Sequence, residues 1–383
     1  MTNVHDLNPF NFVLCGTSVG RKPLSSTGWS AFSGFAGVLR CRLTTLTHIF
    51  IPSSKPPEVI NQHKSLGRFN EVGGVWLIPG SSLRGPIRAI AEAASNSCFS
   101  VFDGEYANHI NRAAPIVRNL APELQPCPQQ DRFCSACRLF GMTGQGQHSS
   151  VGWRGRVRFG DARYIKGNGE DDKKTLHELS SPKLAHTIYY GGHSPAPGDP
   201  VSHRKFYYHH RPNEILTQKP GPRNVTIIPI KPGAVFEFDL WCDGLDDEDK
   251  ALLIYALELE ADQDEHCTMA HKIGHGKPVG LGSVMITVTE AYQVDIQSRY
   301  SQWSVPAADS KQALKRLSDQ ELSNFRDSKS MYKKRSDQWL KDLRAILKWP
   351  PLSDTIGYPQ WKPGAGHGEY RHPLPKPGQE YNR

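Results

Sequence analysis

Apolar and charged positions alternate in two stretches of this chain, residues 38–51 and 153–163. Alternation of this kind predicts β-strands with one buried and one open face. The buried-face positions are Leu39, Cys41, Leu43, Ile49 and Ile51 in the first stretch and Trp153, Gly155, Val157 and Phe159 in the second. The arginines on the two open faces are Arg40, Arg42, Arg154, Arg156 and Arg158. Each predicted open face therefore carries a row of positive charge.

Two further segments have the spacing of helices. Residues 83–94 have an Ala/Ile face and follow a Gly-Ser-Ser turn with helix-capping chemistry. Residues 246–261 begin with acidic side chains, which the helix dipole favours in the first turn. The remaining predicted strands are 225–230, 235–241 and 283–294. The order of strand, helix, strand, strand, helix, strand predicts an α+β fold with a ferredoxin-like (RRM-like) βαββαβ core.

The residues between and after these elements complete the predicted organisation. Residues 52–74 are polar and rich in Pro and Gly, which predicts a loop. Residues 309–348 are predicted to be helical and charged on most faces, either as an interaction helix or as a solvated one. The predicted organisation is one domain over 1–300, with a Cys-rich insertion at 96–150 and a second insertion at 165–223, and a helical extension with an irregular tail over 301–383.

The formal net charge of +8 is distributed unevenly. Residues 1–235 carry +12, residues 236–299 carry −10 and residues 300–383 carry +6. Concentrated positive charge favours a polyanionic partner such as RNA or DNA, although ordinary solubility also explains a basic total. The acidic residues 246–249 are expected to face away from RNA, toward a neighbouring subunit or solvent.

Composition limits the compartment. No stretch approaches 18 consecutive apolar residues, so no membrane partner is expected. Residues 1–13 lack the apolar segment of a signal peptide. Eight cysteines in 383 residues do not suggest a secreted disulfide scaffold, so we expect a reducing, cytoplasmic location.

The start of the first predicted helix is a candidate phosphate site. Backbone N–H groups at a helix N-terminus suit an anion, and Ser81 and Ser82 lie in this turn. Arg84 and Arg88 are four residues apart and so share one side of the helix. An ordinary helix cap explains the turn equally well.

Two other segments combine cations with aromatic residues or glycines. Arg204 and Lys205 precede Phe and Tyr residues, a combination that stacks bases and binds phosphates, or else a strand with aromatic residues in the core. Lys277 lies in the Gly-rich segment 274–282, where glycines permit close approach to a ligand or simply form a tight turn.

Three cysteines have the spacing of a partial metal site. Cys127, Cys134 and Cys137 include a Cys-x-x-Cys pair, which binds one tetrahedral Zn²⁺ through two thiolates. The candidates for the fourth ligand are Cys98, His109 and His148, of which we take Cys98. Buried thiols without a metal are the alternative.

Together these motifs resemble the RAMP superfamily of CRISPR-associated proteins, and most of all the backbone subunits of type III effector complexes, in a III-D/III-E-like branch. The resemblance spans about residues 8–294 and lies in the segments NPFNFV (8–13), IPGSSLRG (78–85), SNSCFSVFD (95–103), CRLFG (137–141), GDA (160–162), RKFYYHH (204–210) and GHGKPVGLGS (274–283).

The resemblance implies a role in an RNA-guided complex. Such subunits line up along CRISPR guide RNA, contact target RNA and other effector subunits, and grip the guide through the sheet face and the helix after the Gly-Ser-Ser turn. A thumb-like hairpin, here expected from 165–223, kinks the guide–target duplex. Some members carry a zinc knuckle before CRLFG, which fits the cysteines.

Catalysis is where the chain departs from the resemblance. Active members cut target RNA with an Asp in the loop before IPGSSL, and residues 52–76 contain no Asp. The remaining acid–base candidates are Glu58, Glu71 and His63 in that loop and His48 before it. We therefore expect a guide-RNA-binding subunit without strong activity. The alternatives are an endoribonuclease that cuts target or precursor RNA and a zinc-stabilised scaffold without RNA contact.

Overall fold

The computed structural model describes residues 9–23, 34–99, 121–127, 132–143, 152–179, 203–210, 218–261, 266–295 and 314–351. These residues form a mixed, strand-rich α+β structure, which confirms the predicted class. The candidate ligands His109 and His148, much of both predicted insertions and the tail after residue 351 lie outside the described residues.

The strands within these residues are short except for three. They are β1 (Phe10–Leu14), β2 (Arg21–Pro23), β3 (Phe35–Thr45), β4 (Glu58–Ile60), β5 (His63–Arg68), β6 (Glu71–Val72), β7 (Val75–Ile78), β8 (Arg132–Cys134), β9 (Gly141–Thr143), β10 (Gly152–Arg154), β11 (Val157–Phe159), β12 (Ala162–Lys166), β13 (Lys174–Thr175), β14 (His203–Tyr207), β15 (Val225–Ile228), β16 (Val235–Leu245), β17 (His271–Lys272), β18 (Ser283–Val294) and β19 (Leu314–Arg316). The α-helices are α1 (Gly80–Ala94), α2 (Ser135–Phe140), α3 (Asp247–Glu258), α4 (Asp319–Asp327), α5 (Ser330–Lys333) and α6 (Gln338–Ile346). None of the described helices is both long and apolar enough to cross a lipid bilayer.

The largest sheet among the described strands has the order β17-β18-β3-β16-β12-β7-β6. In addition, β11 pairs with β16 and β19 pairs with β18. Its strands β18, β3, β16 and β12 are antiparallel neighbours. Helix α1 follows β7 in the chain, and α3 lies between β16 and β18.

The core lies between one face of this sheet and the helices. Leu39 and Leu43 of β3 belong to the same buried cluster as Leu83 and Ile87 of α1 and the apolar side chains of α3. Side chains of β3 alternate between buried and partly exposed along its length, as the first alternating stretch predicts. The strand ends at Thr45, however, so the predicted continuation to residue 51 is wrong, and Ile49, Phe50 and Ile51 are all buried beyond its end. The other face of β3 and β16 carries the charged residues.

The second alternating stretch is not one strand, and that prediction is wrong. It is divided into β10, β11 and β12. A side chain at Gly155 would lie 2.5 Å from the carbonyl carbon of Phe140, so helix α2 presses on the backbone there. The amide of Arg156 donates to the carbonyl of Leu139 (2.8 Å) instead of to the sheet. The chain therefore leaves the strand path at Gly155.

Residues 52–74 are not a plain loop, so that prediction is wrong. They contain β4, β5 and β6. Strands β4 and β5 form a hairpin whose turn residues Asn61 and Gln62 have φ values of 49° and 65°. Hairpin turns with two positive φ values usually have the sequence Asn-Gly. Here the second residue is Gln62, so the sequence does not indicate the turn. Strand β5 also pairs with β15, which joins the hairpin to a second sheet of order β13-β15-β5-β4.

The predicted helical extension is partly core. Helix α4 has no fully buried residue, but its Leu322 and Phe325 are partly buried and pack against the main cluster. Helix α6 in contrast buries Leu340, Leu343 and Ile346 in the main cluster. The solvated alternative is therefore wrong for α6, whose apolar face packs within its own chain.

Candidate functional site

Four buried cysteines meet at one point of the structure. The sulfur atoms of Cys98, Cys127, Cys134 and Cys137 all lie within 4.8 Å of one another. Cys98 Sγ lies 3.4 Å from Cys137, 3.6 Å from Cys134 and 3.7 Å from Cys127. These separations are too long for disulfides, whose S–S length is about 2.05 Å. They are close to the edge of a tetrahedron with metal–sulfur bonds of about 2.3 Å, so the four cysteines could bind one metal ion.

Local structure prepares this cluster. Cys98 follows α1, Cys134 ends β8, and Cys137 lies in α2. The amide of Cys134 donates to Cys127 Sγ (3.2 Å). Hydrogen bonds among the four thiols hold the pKa of Cys134 well below its ordinary value and raise the pKa of Cys98 and Cys137.

The predicted open face of β3 carries its arginines as ion pairs. Arg40 lies 3.2 Å from Asp239 on β16 and 3.0 Å from Glu290 on β18. Arg42 lies 2.9 Å from Glu237. Acidic and basic side chains therefore share this face. The expected division between a basic face and an acidic opposite side is wrong here.

Strands β10, β11 and β12 add three further arginines, of which Arg154 is paired and the other two, among the described residues, are not. Arg154 is exposed and lies 3.5 Å from Asp243. Arg158 and Arg163 are exposed, and no carboxylate among the described residues forms an ion pair with either. This side of the open face therefore has an excess of positive charge.

Arg156 lies inside the protein instead. It is buried and donates to Asp249 (2.9 Å), which is fully buried and also accepts from Arg138 (2.7 Å). Asp249 belongs to helix α3, and Asp246 caps that helix by accepting from the amide of Asp249 (2.8 Å). The predicted outward orientation is therefore wrong for both Arg156 and Asp249.

The helix start meets a carboxylate. The amide of Gly80 donates to Asp161 Oδ1 (2.8 Å), whereas the N-cap residue of α1 is Pro79, which forms no side-chain cap. Ser81 and Ser82 lie inside the helix. Phosphate at this helix start would meet the charge of Asp161. Arg84 donates to the carbonyl of Phe140, and burial lowers its pKa. Arg88 pairs with Glu92 (2.8 Å).

Arg204 and Lys205 lie on β14 in different surroundings. Arg204 is buried, pairs with Glu92 (3.0 Å) and donates to the carbonyl of Cys98 (3.0 Å). The Lys205 ammonium lies 3.7 Å from the centre of the Phe10 ring, and burial lowers its pKa to about 8. Arg204 therefore fits the alternative in which this strand packs into the core. Its hydrogen bond to the carbonyl of Cys98 supports the backbone beside the cysteines.

The Gly-rich segment forms the turn that its glycines predict. Gly276 and Gly280 have φ values of 75° and 91°, a region that other residues seldom adopt. Lys277 between them is partly buried, which lowers its pKa.

The acid–base candidates are separated. Both ring nitrogens of His63 are engaged, with Gly221 O (2.9 Å) and Thr226 Oγ1 (2.8 Å). His48 Nε2 lies 2.9 Å from Asp171, and its Nδ1 is buried without a partner. Glu58 and Glu71 are exposed on β4 and β6. No substrate hydroxyl could reach a free imidazole nitrogen of His48 or His63 without rearrangement.

Sequence reasoning missed several residues of these sites. Glu92, Asp161 and Asp249 each accept from a cation or helix amide. Glu92 also pairs with Arg88, four residues before it, which is a local helical spacing. Its other partner Arg204, and the partners of Asp161 and Asp249, are distant in sequence, so no local pattern indicates those contacts. The sequence does indicate that Trp241 faces outward, because it continues the outward positions of β16 after Glu237 and Asp239.

Comparison with known proteins gives one family. A sequence model of the RAMP superfamily matches residues 42–285. Similar solved structures include a crystal structure of Thermofilum pendens Csc2, 12% identical, which covers 84% of this chain and 90% of its own with a TM-score of 0.37. A cryo-EM structure of the Type III-B Cmr-beta bound to cognate target RNA is 14% identical and covers 68% of this chain and 61% of its own, with a TM-score of 0.30. No curated protein matches. The family match spans the four clustered cysteines and most of the sheet.

Proposed function

Because this chain belongs to the RAMP superfamily, we propose that it is an RNA-binding backbone subunit of a cytoplasmic type III-like CRISPR effector complex. In this role it holds guide RNA and the guide–target duplex beside other effector subunits. The order β18-β3-β16-β12, with helices α1 and α3 on one face, supports a ferredoxin-like core with an open face.

The observation that carries the proposal is the excess of cations at one side of the open face. Arg158 and Arg163 are exposed and unpaired with any described carboxylate, and Arg154 lies beside them in the chain. A guanidinium in water has its donors available for bidentate contact with phosphate. Sugar–phosphate backbone is the ligand that such a surface fits.

Recovery of guide RNA tests this role. The full chain is co-expressed with a CRISPR array and its neighbouring effector subunits, and RNA is extracted from the purified complex. We expect guide RNA in the wild-type complex and a reduced amount when Arg158 and Arg163 are both changed to Ala. A complex that assembles without any RNA would favour the scaffold alternative.

We propose further that the four cysteines bind a structural Zn²⁺. Four thiolates in a closed, buried tetrahedral arrangement are typical of structural zinc, whereas catalytic sites keep an open position. The sulfur separations of 3.4–3.7 Å support this assignment. The ion would fix the end of α1 against β8 and α2.

We propose that this subunit binds RNA without cutting it. The absence of Asp from residues 52–76 and the engaged nitrogens of His63 support this. The test is cleavage of labelled target RNA by assembled complexes that carry Glu58→Ala, Glu71→Ala or His63→Ala. Equal cut ladders support the proposal. Loss of a single cut in one variant would establish the endoribonuclease alternative.

A further inference from the structure

Five strands contribute one residue each to a row across the open face of the sheet. Arg158 on β11 is opposite Trp241 on β16, and Trp241 is opposite Val38 on β3. Val38 is opposite Tyr292 on β18, which is opposite Arg316 on β19. Directly opposed residues on antiparallel strands point to the same face. The aromatic row, Arg158-Trp241-Val38-Tyr292-Arg316, thus has a cation at each end and two aromatic rings between.

The ring of Trp241 is exposed to water, which is unfavourable for a large apolar side chain. It is 39% exposed, while Phe238 and Leu240 on the opposite face of the same strand are buried. The absence of a side chain at Gly160 lets the indole lie against the backbone, since a Cβ there would be 3.1 Å from Trp241 Cζ3. The ring is therefore supported from one side by the protein itself.

Tyr292 is also held in position. Its hydroxyl donates to Glu290 (2.8 Å), and the guanidinium of Arg40 lies 5.7 Å from the centre of its ring. Glu290 in turn pairs with Arg40 (3.0 Å) and Arg316 (3.4 Å). These contacts restrict the ring before any ligand arrives.

We propose that the aromatic row is a stacking platform for unpaired bases of single-stranded RNA. Trp241 and Tyr292 lie on strands separated by one other strand, so their Cα atoms are about 10 Å apart. A base on each ring would place the intervening backbone over Val38, with phosphates near Arg158 and Arg316. Aromatic platforms flanked by cations bind single strands with little sequence preference.

This inference rests on the proposed RNA-binding function and adds the bases to its phosphate contacts. A protein partner would also cover exposed rings. RNA is favoured because Arg158, at one end of the row, is exposed and has no carboxylate partner among the described residues. Arg316, at the other end, is exposed and pairs with Glu290.

The experiment compares single-stranded and duplex RNA on the full chain. The probes are a labelled oligouridylate of about 12 nucleotides and an RNA duplex of the same length, within the range of known single-strand site sizes. The variants are Trp241→Leu and Tyr292→Leu, with Trp241→Phe to restore a ring. The matched control is Ile165→Ala, because Ile165 is an exposed aliphatic residue on the neighbouring strand β12.

We expect each Leu variant to weaken oligouridylate binding by about fivefold or more, with duplex binding unchanged. Trp241→Phe should recover most of the loss, and Ile165→Ala should change neither probe. Equal oligouridylate binding by wild type and both Leu variants overturns the platform and leaves the proposed function standing. Absence of binding by the wild type overturns both. Unchanged RNA binding with lost association of a neighbouring effector subunit assigns the row to a protein partner instead. Equal melting temperatures of the variants would show that folding is not the cause.

Discussion

Arg156 and Arg158 are two positions apart, yet they lie in opposite environments. Arg156 is buried against Asp249, and Arg158 is exposed with no carboxylate pair among the described residues. Alternation places both on one face, but it does so only while the strand is continuous. Because the chain leaves the strand at Gly155, Arg156 and Val157 are both buried in succession. The buried arginines and the open-face arginines therefore have different tasks.

The difference follows from the chemistry of guanidinium. Arginine does not lose its proton in proteins, so a buried arginine requires a carboxylate or several carbonyls. Asp249 serves Arg138 and Arg156, and Glu92 serves Arg88 and Arg204. Arg158 and Arg163 on the open face are hydrated and need no such partner, whereas Arg40 and Arg42 on the same face are paired with carboxylates. Arg158 and Arg163 are therefore the arginines whose donors are available to a phosphate.

The largest expected effect concerns the cysteines, which lie on the buried side of this comparison. In Cys134→Ser, bound zinc should fall from about one per chain to about none. The free energy of unfolding should fall by several kcal/mol, because structural zinc binds peptides with about 10 kcal/mol or more. Elemental analysis and denaturant unfolding of the purified chain measure the two quantities.

Cys267→Ser is the control, since Cys267 is partly buried and lies outside the cluster. Its metal content should equal that of the wild type. Wild-type protein purified without metal would contradict the zinc proposal. Zinc retained in full by Cys134→Ser would remove Cys134 from the ligand set.

Removal of Asp249 breaks the buried side of the comparison directly. Asp249→Ala leaves the guanidinium groups of Arg138 and Arg156 buried without their shared carboxylate, which should cost about 3–5 kcal/mol. On the open face, Asp239→Ala removes the partner of Arg40 and should cost about 1 kcal/mol or less. Urea unfolding of both variants measures the contrast. Equal losses would mean that burial does not distinguish the two sets.

The sequence predicts those features that depend on local periodicity and spacing. Strand β18, helix α3 and the alternation of β3 follow from local periodicity, and so does the α+β class. The Cys-x-x-Cys spacing indicates two thiolates that bind together, and Cys98 was among the candidates for a fourth ligand.

The errors lie where distant contacts decide. The break at Gly155 depends on helix α2, and the burial of Arg156 depends on Asp249, 93 positions later in the chain. Asp161 lies between β11 and β12, and its carboxylate accepts a hydrogen bond from the amide of Gly80 at the start of α1. Periodicity and capping rules describe a segment by itself, and so they cannot anticipate which partner a folded neighbour supplies.

Salt dependence sharpens the open side of the comparison. Arg158→Ala together with Arg163→Ala should reduce the slope of log K against log salt by about 1.4, since each single-strand phosphate contact contributes about 0.7. Titration of the wild type and the double variant with labelled single-stranded RNA at several salt concentrations measures it.

Lys334→Ala with Lys341→Ala is the charge-matched control on the helical extension, where both side chains are exposed. Its slope should equal that of the wild type. An equal reduction in both double variants would mean that net charge, and not the open face, sets the affinity.

Lys272 tests why buried arginines need carboxylates, through the dependence of stability on pH. It is buried, its ammonium donates to the carbonyl of Leu281 (3.0 Å), and burial lowers its pKa to about 7 from an ordinary 10.5. Between these pH values the unfolded chain binds a proton that the folded chain lacks. Stability from this residue should therefore increase as the pH rises from about 7, by about 1 kcal/mol per pH unit.

Lys272→Met removes the titrating group and keeps a long side chain. The difference in unfolding free energy between wild type and Lys272→Met, measured at pH 7, 8 and 9, should move in favour of the wild type as the pH rises. Contributions of other titrating groups cancel in this difference. A difference that is constant with pH would show that Lys272 stays charged in the fold. In that case a buried cation would persist without a carboxylate, and the distinction between the buried and open-face arginines would lose its physical basis.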